Sequence, residues 1–140
     1  MNLSLYSNQF IPLTVPTDIL NRIKIQGKLD EYFSGGSVLH LNVEEEITDV
    51  DAELDLILYC IKMGVVYVAI CYLLNKCEND HMTVGHQTNC PICRGKILGK
   101  YQRVVGFLTQ VSFWHEVRKN LDFPNRVFYH ADELSDFKED

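Results

Sequence analysis

The chain has 140 residues, of which 46% are hydrophobic and 23% charged, a balance typical of one globular domain. The net charge of −6, without any run of Lys or Arg, argues against a nucleic-acid backbone or an anionic membrane as the main partner. The N-terminus lacks a basic start followed by a long apolar region, so we expect no secretory signal and a cytoplasmic protein.

The first third of the chain predicts an extended entry, a short helix and a strand. Residues 1–16 contain two prolines and no clear period, which is typical of an extended segment. Thr17 is the expected N-cap of a helix that Gly27 ends. Residues 37–43 alternate strictly and predict a half-buried strand. For His40 and Asn42 on its second face, a solvated surface is the simpler interpretation and a polar cavity is the alternative.

A longer helix and a second strand follow. Thr48 and Asp51 have the spacing of a capping box, and Gly64 is the expected helix stop. The apolar residues at helical spacing predict one buried face, made of Val50, Leu54, Ile57, Leu58 and Ile61. Residues 65–70 are rich in valine and isoleucine, which is typical of a strand buried on both faces. Strand, helix and strand in this order predict a parallel crossover and an α/β fold.

The apolar stretch from residue 54 to residue 74 is also long enough to be considered as a membrane span. Each of its two charges, Asp55 and Lys62, would cost about 2.5 to 3.5 kcal/mol at the centre of a bilayer. The pattern also changes from helical to strand-like at Gly64. We therefore interpret the stretch as part of a soluble fold.

Beyond Asn75 the chain is rich in residues that bind metal ions. Cys90 and Cys93 have the CxxC spacing of a metal-binding turn, and Cys77 with His81 can supply a second pair. His86 is the alternative fourth ligand. Thiolates combined with imidazole favour zinc over iron or magnesium, and a zinc with four protein ligands has a structural role. The remaining cysteines lie in the apolar helix and strand, where buried, inert thiols are expected: Cys60 and Cys71.

One glycine interrupts the apolar run that follows the cysteines. Gly106 stands between two valines and the pair Phe107 and Leu108, where glycine normally marks a bulge or a close backbone approach. The alternative is chemical, because only glycine can lose an α-hydrogen to give an unhindered planar backbone radical. Spacing alone leaves both interpretations open.

The residues described so far resemble the C-terminal part of anaerobic, class III ribonucleoside-triphosphate reductases, which are glycyl-radical enzymes. The resemblance covers SNQFIPL, GGSVLHLNV, KMGVVYVAI, the C-x3-H and CPxC pairs and, above all, RVVGFLTQVSFW at residues 103–114. It implies that Gly106 carries the radical. It also implies that four residues bind zinc: Cys77, His81, Cys90 and Cys93.

The resemblance further implies the end of a glycyl-radical-enzyme α/β barrel. We expect a C-terminal barrel segment at residues 1–75, a small zinc ribbon at residues 76–98, and an extended radical loop with the tail at residues 99–140. In that family an activating enzyme, which uses S-adenosylmethionine and an iron–sulfur cluster, installs the glycyl radical. The radical then generates a thiyl radical that attacks the ribose of a ribonucleoside triphosphate, and the product is a deoxyribonucleotide for DNA replication.

Members of the family are several times longer, and their thiyl cysteine and nucleotide site lie upstream of the matched region. The leading hypothesis is therefore a C-terminal piece that works with a separate, larger reductase chain and is inactive alone. One alternative is an autonomous glycyl-radical spare part that repairs a damaged reductase. Another is a non-enzymatic zinc-ribbon adaptor.

Overall fold

The computed structural model describes residues 5–104 and 106–134; Val105 and the outer ends of the predicted entry and tail lie outside them. Helices and strands alternate in the first half, four strands follow, and four short helical turns occupy the segment from Val111 to Leu134. In chain order the elements are α1 (Ile19–Asp30), β1 (Val38–Val43), α2 (Val50–Lys62), β2 (Tyr67–Tyr72), β3 (Leu74–Cys77), β4 (Met82–Val84), β5 (Ile97–Arg103) and β6 (Leu108–Gln110). This mixed helix and sheet content agrees with the predicted α/β class.

The predicted parallel crossover is confirmed. Strands β1 and β2 pair in parallel, with Val38 opposite Tyr67 and Val43 opposite Tyr72, and α2 connects them. Gly64 follows the end of α2 with a φ of +90°, which is the left-handed conformation expected of a glycine stop. This unit and α1 enclose the hydrophobic core.

The N-cap of each helix lies one residue after the predicted N-cap. The side chain of Asp18, rather than Thr17, accepts a hydrogen bond from the backbone N–H of Asn21. In α2 the cap is Asp49, which accepts from the N–H groups of Asp51 and Ala52. Neighbouring Thr and Asp residues both suit an N-cap, so the sequence could not choose between them.

The prediction that Gly27 ends α1 is wrong, because the helix continues to Asp30. Gly27 is buried where α1 meets the end of α2. A Cβ atom at this position would lie 2.7 Å from the carbonyl carbon of Met63 and closer still to its oxygen. The glycine therefore allows two backbones to approach closely and is not a helix stop.

The predicted buried face of α2 is mostly exposed, which corrects the sequence interpretation. The helix buries Leu56 and Cys60 against the core, whereas Leu54, Leu58 and Ile61 are exposed. Strand β2 is likewise only partly covered, with Cys71 its one buried residue among those described. The reason is that β2 lies at the edge of a sheet of two strands.

The solvated face predicted for β1 is also wrong. His40 and Asn42 are only 3% and 2% exposed; His40 lines a pocket, as in the alternative interpretation, whereas Asn42 is buried between the two sheets. A second, antiparallel sheet in the order β4-β3-β5-β6 covers this side of β1. The side chain of Gln102 in β5 donates a hydrogen bond to Asn42 at 3.3 Å and joins the two sheets.

No helix among residues 5–104 and 106–134 combines the length and the apolar character needed to cross a membrane. The stretch that was considered as a span is divided between α2, which ends at Lys62, and β2, which begins at Tyr67.

We expect Gly27→Ala to destabilise the fold by about 1 to 3 kcal/mol, the usual cost of overpacking. The added methyl group would collide with backbone atoms of Met63, and this outweighs the gain of about 0.5 to 1 kcal/mol that alanine brings to a helix. Urea unfolding measures the difference in the free energy of unfolding. Gly35→Ala is the matched control, since no atom lies within 4 Å of its added Cβ. Equal stability of the two variants would contradict the close approach.

Candidate functional site

Two turns of the second sheet bring four potential metal ligands together. Cys77 ends β3 and His81 precedes β4, and the N–H of Cys77 donates to the carbonyl of His81 at 3.1 Å. Cys90 and Cys93 lie on a second turn, in which the N–H of Arg94 donates to the carbonyl of Cys90 at 2.7 Å. The ligand atoms of the four residues all lie within 4.8 Å of one another.

The distances inside this Cys/His cluster suit a tetrahedral ion. The sulfur of Cys77 lies 3.8 Å from that of Cys93 and 3.6 Å from Nδ1 of His81. The same nitrogen lies 3.8 Å from the sulfur of Cys90. A tetrahedron with Zn–S bonds of about 2.3 Å would place its sulfurs roughly 3.8 Å apart. Three thiols and one imidazole also form a donor set that zinc prefers.

Hydrogen bonds around the cluster stabilise the thiolate form of Cys93. Asn79 donates a side-chain N–H to the sulfur of Cys93 at 3.3 Å, and the backbone N–H of Gly95 donates to it at 3.4 Å. These hydrogen bonds, with that of Asn79 the largest influence, lower the pKa of Cys93 to about 6. Burial instead raises the pKa of Cys77, whose thiolate would need a bound cation to stabilise it.

The other sequence candidates lie elsewhere. His86 is in contact with Glu44, with 2.7 Å between Nδ1 and the carboxylate oxygen, and packs edge-on against Phe128. It is not among the four clustered ligands. Cys60 and Cys71 are buried, and burial raises the pKa of each thiol to about 11, as expected for inert thiols.

Gly106 lies in the connection between β5 and β6. These strands pair antiparallel up to Arg103 opposite Leu108, so the connection consists of residues 104–107. The guanidinium group of Arg103 donates to the carbonyl oxygen of Gly106 at 2.5 Å. No atom beyond the chain neighbours lies within 4 Å of the position that a Cβ on Gly106 would occupy. Gly106 and Phe107 are exposed, so the described residues do not enclose the glycine in an apolar environment.

A buried arginine holds the beginning of this loop. Arg126 donates to the backbone carbonyl of Arg103 at 2.7 Å and to that of Val104 at 3.4 Å. Its guanidinium group is fixed in turn by both carboxylate oxygens of Asp122, each at 2.9 Å. Arg118 donates to the same carboxylate at 2.8 Å. The loop is therefore tied to a segment about 20 residues further along the chain.

The loop forms part of the wall of a pocket of about 400 Å³. The other walls come from the entry segment and from the sheet of β1 and β2, and the lining residues are Asn8, Val38, His40, Ala69, Arg103 and Gly106. Burial, followed by the positive charges of Arg103 and Arg126, lowers the pKa of His40. His40 is therefore a neutral imidazole at neutral pH.

Comparison with known proteins gives a consistent result. The family described as anaerobic ribonucleoside-triphosphate reductase matches residues 2–129. The chain belongs to this family. A solved anaerobic ribonucleotide reductase is 35% identical over 91% of the chain, with a TM-score of 0.79. The reductase from Thermotoga maritima is similar in a structure with MES in the active site (36% identity, 79% of the chain, TM-score 0.67) and in one with dATP in the specificity site (35%, 79%, TM-score 0.64). No curated protein matches the chain.

The match concerns the C-terminal region of the reductase family. The chain spans 20% of the length of the first solved reductase and 18% of the Thermotoga maritima chain. The matched segment is therefore a small part of a much longer chain in these relatives.

Sequence reasoning on this reductase segment missed Asp122, Arg126 and Gln102. Asp122 and Arg126 are separated by four residues, a spacing that can signal an ion pair within a helical turn. Nothing in the sequence indicates that Arg126 binds carbonyl groups beside Gly106. In the sequence, Gln102 resembles an ordinary surface residue of a strand. It is buried because the two sheets pack against each other.

We expect Asp122→Asn to destabilise the protein at pH 7 by on the order of 3 kcal/mol, because it leaves the buried Arg126 without its anion. Burial opposes ionisation of Asp122, but Arg126 and then Arg118 hold its pKa below the usual range. A lowered pKa means that this stabilisation is complete above about pH 4 and is lost as the pH falls through the folded-state pKa. The difference between variant and wild type should therefore shrink in acid.

Urea unfolding at several pH values measures this difference. Comparison at each pH removes effects common to both proteins, such as protonation of the Cys/His cluster. Glu116→Gln is the control, because Glu116 also pairs with a cation, Lys119 at 2.7 Å, but does so on the surface. A penalty for Asp122→Asn that persists unchanged to low pH would contradict the assigned ion pair.

Proposed function

We propose that the chain is the glycyl-radical-bearing C-terminal portion of an anaerobic ribonucleoside-triphosphate reductase and that it works with a separate, larger chain. The observation that carries this proposal is the position of Gly106 at an exposed loop, beside a pocket and on the same sheet as the Cys/His cluster, in a chain of this family. The larger chain would supply the thiyl cysteine and the site for the ribonucleoside triphosphate.

The geometry around Gly106 supports the role of radical residue. The α-carbon has open space around it, so an activating enzyme of the S-adenosylmethionine and iron–sulfur type could reach its hydrogen. Arg103 and Arg126 hold the carbonyl groups on both sides of the loop and restrict its movement. A glycyl radical here would supply hydrogen-atom abstraction from a cysteine of the larger chain. The neutral imidazole of His40 faces the same pocket and adds no charge beside the glycine.

We propose zinc as the ion of the Cys/His cluster. Cys77, His81, Cys90 and Cys93 would hold it and leave no open position, so its role would be to brace the two turns. Strand β5 begins shortly after the CxxC pair and ends at Arg103, three residues before Gly106. Its seven residues span about 23 Å. Zinc would therefore act on the glycine through the strand and not by direct contact.

In the complete assembly we propose that residues 1–75 contribute a barrel segment, residues 76–98 a zinc ribbon, and residues 99–140 the radical loop and tail. No contact described above favours the alternative of a non-enzymatic adaptor. The spare-part alternative uses the same radical chemistry and differs in one respect. A split subunit is essential to an undamaged larger chain, whereas a spare part is dispensable until its partner is damaged.

Gly106→Ala tests the radical proposal. After anaerobic incubation of the wild type with the activating enzyme, S-adenosylmethionine and a reductant, electron paramagnetic resonance should detect a carbon-centred radical. The signal should be absent in Gly106→Ala, because alanine cannot form the unhindered planar radical. The variant should fold normally, since no atom lies within 4 Å of its added Cβ.

Gly35→Ala is the control, because its added methyl group is equally free of contacts and lies outside the loop. It should keep the full signal. A wild type that gives no signal even when the larger chain is present would overturn the radical proposal. Persistence of the signal in Gly106→Ala would show that another residue carries it.

Metal analysis tests the zinc proposal and the choice between the two histidines. We expect about one zinc per chain in the wild type and its loss in Cys90→Ser, because removing one of four ligands opens the site. His81→Ala should also lose most of the metal. His86→Ala should keep it, since His86 binds Glu44 and lies outside the cluster. Full occupancy in Cys90→Ser would show that the ligand set is wrong.

A further inference from the structure

One side of α2 carries a row of exposed aliphatic residues. Val50, Leu54, Leu58 and Ile61, here named the α2 stripe, are 74%, 50%, 52% and 64% exposed. Their spacing of four, four and three residues places them on one face of the helix, over about 16 Å. The opposite face is the one that packs on the core, through Leu56 and Cys60. The helix is thus apolar on two sides, of which the described chain covers only one.

This pattern indicates a missing neighbour. Single exposed aliphatic residues are common on soluble proteins, but a continuous row at helical spacing marks an interaction surface. A narrow stripe of this spacing is typical of a helix that packs along another helix. The sequence alone assigned these residues to a buried face, and the described part of the chain leaves them open.

Among the described residues, one outer edge of the β1–β2 sheet is covered and the other is open. On the outer edge of β1, the side chain of Gln9 donates to the carbonyl of Val38 at 2.8 Å and accepts from the N–H of His40 at 2.9 Å. Further along this edge, Tyr129 exchanges backbone hydrogen bonds with Asn42 and Glu44, each at 2.9 Å. The outer edge of β2 pairs with no strand among residues 5–104 and 106–134. An unpaired edge of a parallel sheet is a site for a further strand.

We propose that the α2 stripe is the docking surface for the larger reductase chain, which lays an apolar helix face along it. This inference rests on the proposed function. The solved relatives contain roughly four times as much chain outside the matched region as inside it, so the material to cover this surface exists in the family. The open edge of β2 belongs to the same β1–α2–β2 unit and also lacks its neighbour.

The charges on α2 favour this partner over a second copy of the chain. Asp51, Glu53 and Asp55 accompany the stripe, against the single cation Lys62. Pairing two copies would bring these acidic residues together in chains that each carry a net charge of −6. The partner surface is therefore an apolar helix face rimmed by Lys or Arg.

The double substitution Leu54→Glu with Leu58→Glu tests this surface. The probe is the cognate larger chain that carries the thiyl cysteine and nucleotide site, with a fluorescent label. Its dissociation constant for the 140-residue chain is measured under anaerobic conditions. We expect binding to weaken by at least about 30-fold, which corresponds to about 2 kcal/mol, because two charges would be placed in an apolar contact. Leu98→Glu is the matched control, as Leu98 is 61% exposed but lies on β5. It should bind like the wild type.

The double variant should fold, since both side chains are at least half exposed and glutamate is a good helix former. Unchanged circular dichroism and metal content would check this. Binding of the double variant at wild-type strength would overturn the docking surface and leave the proposed partnership intact. Failure of the wild type itself to bind would overturn the partnership, and the surface with it. A dimer of the wild type that the double variant abolishes would instead assign the α2 stripe to a second copy.

Discussion

The buried guanidinium group of Arg126 joins parts of the chain that are far apart in sequence. It donates to the backbone carbonyl at the end of β5, to the side-chain oxygen of Gln102 and to the carboxylate of Asp122. Its face lies 4.8 Å from the centre of the Trp114 ring. A buried cation is tolerated only when its donors are used in this way. The position of the Gly106 loop therefore depends on the C-terminal segment that contains Arg126.

The second sheet places two chemically distinct sites at opposite ends of one strand. The Cys/His cluster lies where β3 ends and β5 begins, and Gly106 follows the other end of β5. Between them β5 is paired with β3 on one side and with β6 on the other. The Cys/His cluster lies at one end of the strand and the hydrogen bonds of Arg126 lie at the other. Such a frame can present a glycine on an exposed loop without an apolar shell of its own.

The first sheet, by contrast, is only partly covered by the described residues. A parallel pair of strands is stable mainly when both faces and both edges are covered. Here the chain covers the outer edge of β1 with Gln9 and Tyr129 and the inner faces with α1 and the second sheet. The described residues leave the edge of β2 and the outer face of α2 open. The pattern of covered and open surfaces thus agrees with a segment that spans about a fifth of its relatives.

Sequence periodicity by itself determined the order of α1, β1, α2 and β2 and their parallel crossover, because alternation and helical spacing are local properties of the chain, but it did not predict β3 to β6. Residue chemistry and spacing also predicted two pairs of candidate metal ligands, whose side chains the structure brings together, and the family resemblance singled out Gly106 as a candidate radical residue. Local patterns failed wherever a distant segment decided the outcome. Gly27 resembles a helix stop in the sequence, yet in the structure it allows a close approach to Met63. Thr17 and Asp18 suit the N-cap position equally well by residue type, and the structure uses Asp18.

Only the tertiary structure decided which polar residues are buried and which apolar residues are not. His40, Asn42 and Gln102 become buried because a second sheet covers the polar face of β1. The α2 stripe has the spacing of a core face but remains exposed. Spacing shows that a helix has an apolar side, but it does not show what packs against that side. The same limit applies to His81 and His86. Both stand near the cysteines in sequence, and the fold of the β3–β4 turn brings only His81 to them.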